Sequence, residues 1–467
     1  MSEILTAVQK AFALNMDPDL YGSIAEIGAG QEVARYFFLA GGAAGTIART
    51  ISAYDMHFSD ASYGEEPSGR YVSEGRLNKM LEKEYGLVLK RVGTYRQKNS
   101  SYFAFADTVT ARSYKRKSAE CHGWMGVHLQ LYPDAPPSKI NLHVRMLDES
   151  NRQQQEALGI LGVNLIYAAY NYYRKPEKLI ASLKDNLGQG RVEVDTIRLE
   201  GPYFEELDAR LTALLLVGTN LTDAVMFSPE KEVLQPSEIL YKKNVLVLRS
   251  CFAPVTKVTL DMIKCGKESF LRNPVVKEEN CVFLPELSTI HLKKDGVFDK
   301  ESFLHRIDTV TSLGYPVLVT DYLRYFRVRE FLNRYTKDQV GFILGIPNME
   351  LLFDDTYYEG LEGGILGAFS KLFDGQIKLS IYPMRKGNDM ISVDNFPTPD
   401  HLKYLYLHLR ENNLVESVEN YDESILHIWP QGVLKKLKKG RGDWESMVPE
   451  NVAKEIIKHR MFGFDSA

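Results

Sequence analysis

Between residues 139 and 147 the apolar Ile140, Leu142, Val144 and Met146 alternate with Asn141, His143, Arg145 and Leu147. A period of two places every second side chain on one face, which predicts a half-buried strand. Pro133, Pro136 and Pro137 mark the turn before it. The stretches 102–114 and 124–132 read as strands of the same kind. Residues 151–186 read as one or two helices, with Pro176 opening the second, because proline is tolerated in a first turn and not in an interior. A further strand over 192–199 stops at Gly201-Pro202. The pattern over 101–240 predicts an α+β domain built on an antiparallel sheet with helices on it.

The rhythm changes over 241–385. Short apolar runs at 245–248, 317–320, 340–344 and 379–382 alternate with helical patterns at 257–271, 303–313 and 325–335. Such alternation predicts a Rossmann-like parallel sheet with crossover helices, whose ligands bind beyond the carboxyl ends of the strands. Residues 1–100 read as a mainly helical region, with small residues over 28–45, a loop over 59–75 and a charged helix over 76–86. The tail, 386–467, reads as a helix at 401–412, a strand-like 425–429 and a charged end. The expected fold class is mixed α/β.

A chain of 467 residues is too long for one core and points to two to four packed units. The net charge of −4 implies no uniformly basic face, so nucleic acid is an unlikely partner. Cys121, Cys251, Cys265 and Cys281 form no CxxC pair, and no His group stands at zinc spacing, so no metal site is expected. Reduced thiols and the lack of a signal-like N-terminus point to a cytoplasmic protein. The longest apolar candidate, 209–217, contains Arg210 and is too short to span a bilayer. The 26 Tyr and 22 Phe favour a homo-oligomer.

The chemistry concentrates after the run at 245–248. There the chain reads Arg249-Ser250-Cys251-Phe252-Ala253-Pro254-Val255-Thr256-Lys257-Val258-Thr259-Leu260-Asp261-Met262-Ile263. This resembles the first signature of adenylyltransferases that make NAD or coenzyme A precursors, roughly G-x-F-x-P-x-T/H-x-G-H. Phe252, Pro254 and Thr256 match it. Thr259 stands at the His position, Val258 at the glycine directly before it and Ser250 at the first glycine. A helix start presents free N–H groups and a positive dipole end, which suit a triphosphate. The resemblance implies a nucleotidyltransferase-like unit binding ATP with Mg2+. Ser250, Cys251, Phe252, Ala253 and Thr256 would bind the nucleotide, and Thr259 and Lys257 would take the catalytic positions.

Over nearly its whole length the chain also resembles a bacterial family whose members are commonly labelled nicotinate-nucleotide or nicotinamide-mononucleotide adenylyltransferase. The segments 26–50, 103–130, 143–165 and 341–355 carry that likeness. It implies a pyridine mononucleotide as acceptor and a place in NAD biosynthesis. The replaced His and Gly keep a second expectation open, a non-catalytic scaffold or regulatory protein that retains the fold.

Several further groups have structural readings that compete with chemical ones. Glu26-Ile27-Gly28-Ala29-Gly30 resembles the first motif of S-adenosylmethionine-dependent methyltransferases, with Asp55 as the acidic partner, but small packing residues in a helix or loop explain it as well. Gly41 to Gly45 lacks the Gly-Lys-Ser/Thr ending of a P-loop. Glu120-Cys121-His122 puts a thiol beside an imidazole, with Asp107 upstream, but adjacent strand residues face opposite ways. Asp321, Asp354 and Asp355 would hold Mg2+ only if they met at strand ends. The run Lys435, Lys436, Lys438, Lys439 and Arg441 reads as a solvated helix face.

Overall fold

A computed structural model describes residues 4–66, 69–92, 99–110, 121–294, 297–375, 377–440 and 442–464. Glu120, Arg441 and positions 111–114 of the strand expected over 102–114 lie outside them. The fold is mixed α/β. The chain divides into two compact units, Met1–Thr222 and Asp223–Ala467.

The first unit holds one six-stranded sheet in the order β2-β1-β3-β4-β5-β6. Its strands are β1 (Leu20–Gly28), β2 (Ile47–Ala53), β3 (Ser101–Val109), β4 (Cys121–Leu129), β5 (Ser138–Met146) and β6 (Val192–Glu200). From β3 to β6 the strands run antiparallel, as the alternation predicts. β1, however, pairs in parallel with both β2 and β3. Part of the segment expected to be mainly helical therefore belongs to the same sheet. Helices α1 (Ala7–Asn15), α2 (Val33–Ala40) and α5 (Asn151–Tyr172) pack together around one large core that includes Ile24, Phe103, Phe105 and Leu142. A smaller core, with Ala25, Leu77, Met80 and Trp124, joins α4 (Glu74–Val92) to the sheet's other face. The short α3 (Met56–Tyr63), α6 (Pro176–Ser182) and α7 (Ala209–Gly218) complete the unit.

The second unit is built on an eight-stranded sheet, β18-β15-β14-β9-β10-β13-β7-β8. In chain order these are β7 (Ala224–Phe227), β8 (Val233–Leu234), β9 (Asn244–Arg249), β10 (Cys281–Ser288), β13 (Val317–Thr320), β14 (Val340–Gly345), β15 (Ile377–Tyr382) and β18 (Val415–Ser417). Two small hairpins stand apart, β11 (Lys293–Lys294) with β12 (Val297–Phe298) and β16 (Met384–Lys386) with β17 (Asp389–Ile391). All strands from β18 to β13 are mutually parallel, and β7 and β8 run antiparallel. After α8 (Pro236–Leu240), the crossovers are α9 (Lys257–Leu271), α10 (Lys300–Thr311), α11 (Tyr325–Leu332), then α12 (Ile346–Leu352) with α13 (Gly364–Leu372), and α14 (Lys403–Glu411). Strands covered on both faces are apolar nearly throughout, and β9 (NVLVLR) is buried at every position.

The order of the parallel strands is that of a doubly wound Rossmann sheet. The chain leaves β9 toward β10 and β13, returns to β14 on the other side, and continues to β15 and β18. The direction reverses between β9 and β14, which is where ligands of such sheets bind. The strand-like pattern at 425–429 forms no strand. Leu426 and Ile428 are buried there as the period of two requires, after a 3-10 turn at Glu423–Ile425. Among the described residues no helix is long and apolar enough to cross a membrane.

Candidate functional site

The loop after β9 is where the sequence places the chemistry, and it lies at the reversal point. Thr256 ends the loop in extended conformation and caps α9. Its hydroxyl oxygen accepts from the Thr259 N–H at 3.3 Å, and the Thr259 hydroxyl oxygen accepts from the Thr256 N–H at 3.3 Å. This reciprocal capping box satisfies two of the free N–H groups at the helix start. It leaves the first-turn amides of Lys257 and Val258 without partners inside the helix, because nothing precedes them at the i−4 position.

Thr256, Val258 and Thr259 of this helix start border a crevice of about 150 Å³ between the carboxyl ends of β9, β14 and β15. Met262, Ile346, Tyr382, Met384 and Trp429 give it an apolar lining, and Ser250, Thr256, Thr259 and Asn348 supply the polar groups. An apolar cleft with a few convergent polar groups is the usual form of a small-molecule site. Its volume is close to that of a cavity that holds one benzene-sized ring. The Tyr382 hydroxyl donates to Asp261 at 2.6 Å, which fixes the ring in the wall.

The predicted residues separate. Ser250, Thr256 and Thr259 line the crevice. Phe252 is buried in the loop at 1% exposure, with a left-handed φ of 46°. The Cys251 carbonyl accepts from Arg306 Nη1 at 2.5 Å. Ala253 faces a second cavity of about 510 Å³, shared with His291, Lys293, His305, Arg306 and Lys438. The Lys257 side chain is exposed and lines neither cavity. The Thr259 hydroxyl is held in the capping box.

Two charged groups beside the loop escaped sequence reading. Arg249, the last residue of β9, makes a two-pronged pair with Glu286, with Nε to Oε2 at 2.5 Å and Nη2 to Oε1 at 2.9 Å. Glu286 is fully buried near the end of the second parallel strand. In many Rossmann sheets an acidic residue there receives ribose hydroxyls; here Arg249 and the Thr320 hydroxyl occupy it. Arg306 differs. Its Nε donates to the Ser302 hydroxyl at 3.1 Å, and among the described residues no carboxylate lies within ion-pair distance. Burial lowers its pKa, against the pull of the nearby Asp299 charge.

The acidic candidates for Mg2+ do not converge. Asp321 accepts from the Thr289 hydroxyl and pairs with Lys293. Asp354 caps a 3-10 turn and Asp355 meets His401 at 2.5 Å. Among the described residues no group of three or more His, Cys, Asp or Glu side chains is placed to hold a metal.

The first unit has its own constellation at the edge where β1 and β3 end. Glu26 and Asp107 stand opposite each other in the parallel pair. Glu26 accepts from the Val33 and Ala34 amides at 2.9 and 3.2 Å and so anchors the start of α2. Gly28, at φ +87°, passes over the Val109 carbonyl, and a Cβ on Gly30 would lie 2.4 Å from an Asp107 carboxylate oxygen. The small residues there serve close backbone approach above a buried acid pair. Burial, then the Glu26 charge, pushes Asp107 well above the usual carboxylate range. Asp55 caps α3 through the Phe58 N–H at 2.9 Å. Cys121 packs in the large core, whereas His122 contacts His143, which also meets the Trp124 ring of the smaller core.

The second unit thus belongs to the class of doubly wound α/β folds with a crevice at the strand-order reversal. No family model and no curated protein matches the chain. Among solved structures, the competence/damage-inducible protein CihA from Agrobacterium tumefaciens is similar at 17% identity. The match covers 36% of this chain and 99% of that one, with a TM-score of 0.25, too low to carry an argument.

Proposed function

We propose that the second unit binds an adenine nucleotide, with the base in the apolar crevice and the phosphates against the start of α9. The observation that carries this reading is the crevice itself, at the reversal of a Rossmann strand order and lined by Ser250, Thr256 and Thr259. The polar cavity on the Ala253 side sets Lys293, Arg306 and Lys438 beside Asp299 and Glu301, and among the described residues Arg306 has no carboxylate at ion-pair distance, which leaves it open to an acceptor with a phosphate, such as a pyridine mononucleotide. Transfer would form a bond from an acceptor phosphate oxygen to the α-phosphorus of ATP and break the α–β bridge, releasing pyrophosphate. This chain's part is positioning and charge neutralisation. Among the described residues no group of three or more carboxylates, His or Cys side chains is placed to hold Mg2+.

A second reading, nucleotide binding without transfer, is favoured by the Thr259 hydroxyl spent in the capping box and by the exposed Lys257. Losing one preorganised donor to the transition state costs about 10²–10³ in rate. Calorimetric titration of ATP into wild type and Gly345→Leu tests binding. A Cβ at 345 meets Pro347 and Met262, both in the crevice wall, at 3.6 and 4.0 Å, so a leucine fills the space. Micromolar binding abolished by Gly345→Leu is expected; equal binding by both proteins, or none by wild type, refutes the reading. Pyrophosphate release with nicotinamide mononucleotide then separates transfer from binding alone.

A further inference from the structure

The polar face of the first sheet carries a chain of buried, hydrogen-bonded side chains with no part in the nucleotide reading. Asp195 Oδ1 lies 2.7 Å from His143 Nδ1, and His143 Nε2 lies 3.1 Å from His122 Nδ1. Asp195 and His143 are 5% and 4% exposed. His122 is half-buried, and among the described residues nothing hydrogen-bonds to its Nε2.

A backbone irregularity makes this chain possible. β5 and β6 pair His143 with Thr196 and Val144 with Val194, so Asp195 is one residue extra. Val194 and Ile197, three apart, both enter the large core. A regular strand would send them to opposite faces. The extra residue re-aims Asp195 toward His143, a recurrent use of bulges beside active sites. The Trp124 ring stands 5.1 Å from the His143 ring and the Thr196 hydroxyl donates to Asp195 at 3.1 Å, which fixes both partners.

The direction of the hydrogen bonds follows from the carboxylate. An ionised Asp195 only accepts, so His143 Nδ1 carries a proton and donates it. With His143 neutral, its Nε2 is a lone pair and accepts from His122 Nδ1–H. The remaining nitrogen, His122 Nε2, then bears a lone pair and no proton. Burial, the largest cause, holds His122 down to about 4, so the ring is uncharged at neutral pH.

We propose that Asp195, His143 and His122 form a proton relay that makes the first unit a reactive centre in its own right, with His122 Nε2 accepting the proton of a hydroxyl-bearing substrate. The O–H bond breaks as the Nε2–H bond forms. The imidazolium charge is shared through His143 with Asp195, and the oxygen keeps the electron pair. His122 is the catalytic residue, and His143 and Asp195 are positioning residues that fix its tautomer.

Long-range 1H–15N spectra of the 15N-labelled full chain at pH 7 test the tautomers directly. The expected result is Nδ1–H on both rings and a bare Nε2 on His122. A proton on His122 Nε2 overturns the proposal, because His143 would then be the charged, purely structural partner of Asp195. Diethyl pyrocarbonate tests reactivity: the bare nitrogen bonds to its carbonyl carbon and ethyl carbonate leaves. His122 is expected to react faster than the exposed His427, and Asp195→Asn is expected to slow His122 about tenfold or more while leaving His427 unchanged. Equal His122 rates in wild type and variant refute the relay. If Asp195→Asn does not fold, the wild-type tautomer decides alone.

Discussion

Arg249 and Glu286 allow an energetic test in which the partners are removed singly and together. Arg249→Met takes away a guanidinium that is 8% exposed and leaves Glu286, at 0%, with the Thr320 hydroxyl as its remaining side-chain donor. The Tyr322 and Leu323 carbonyls also lose their Arg249 donors, at 3.0 and 2.7 Å. An uncompensated buried charge costs about 3–5 kcal/mol. For a unit of this size that lowers the melting temperature by roughly 6–20 °C. Scanning calorimetry of the full chain reads the transition directly. The double variant Arg249→Met/Glu286→Leu removes both charges and is expected to regain most of the loss, because the pair's own net worth is small once its desolvation is counted. A single variant costing under about 1 kcal/mol, or a double variant as costly as the two singles summed, would show that the pair is not the buried, mutually dependent unit described.

Other expectations follow from the same structure. Burial, then Lys139, brings His128 to about 4 from 6.5, so the unfolded chain binds more protons between those values and stability falls as pH drops through that window. His128→Phe, which keeps a ring against Tyr85 at 4.2 Å, should flatten the urea-midpoint profile between pH 6.5 and 4.5; a curve parallel to wild type contradicts this. Asp107 has the opposite sign: its raised folded pKa makes wild type lose stability as pH rises through it, so Asp107→Asn should gain relative stability from pH 5 to 8.5. A pH-independent difference in urea midpoint would exclude a buried, neutral Asp107. Thr256→Ala removes an N-cap and should cost about 1 kcal/mol by urea unfolding. No loss would mean that the capping box contributes nothing to stability.

The sequence disclosed elements wherever one periodicity ran unbroken. The alternation in β5 and the apolar runs of β9, β13 and β14 located those strands, and the β9 loop located the crevice. β10 escaped because Pro285 and Glu286 interrupt its apolar run, and a central strand seldom contains a residue lacking a ladder N–H. β1 escaped because Gly22, Ser23 and Glu26 dilute it, and only the pairing with β3 explains why they are buried. Arg306 and the His122–His143–Asp195 chain depend on tertiary contacts between residues far apart in sequence. The sole local trace of the latter was the spacing of Val194 and Ile197, three residues apart in an otherwise alternating strand.

The two sheets end differently at their borders. The second closes with β8, two residues long, and β18, three residues long, so its unpaired backbone is brief. The first ends on β6, whose nine residues carry the charged Glu193, Asp195, Arg198 and Glu200, and on β2, whose seven residues pair, among the described residues, with β1 alone. A row of that length is a template on which another extended chain can continue the hydrogen-bond ladder, and natural sheets blunt such rows with charge or brevity. β2 has one charged side chain, Arg49, and it is tied to Glu84 at 3.4 Å. Strand addition, whether between copies of this chain or from a foreign peptide, therefore has its easiest starting place along 47–53.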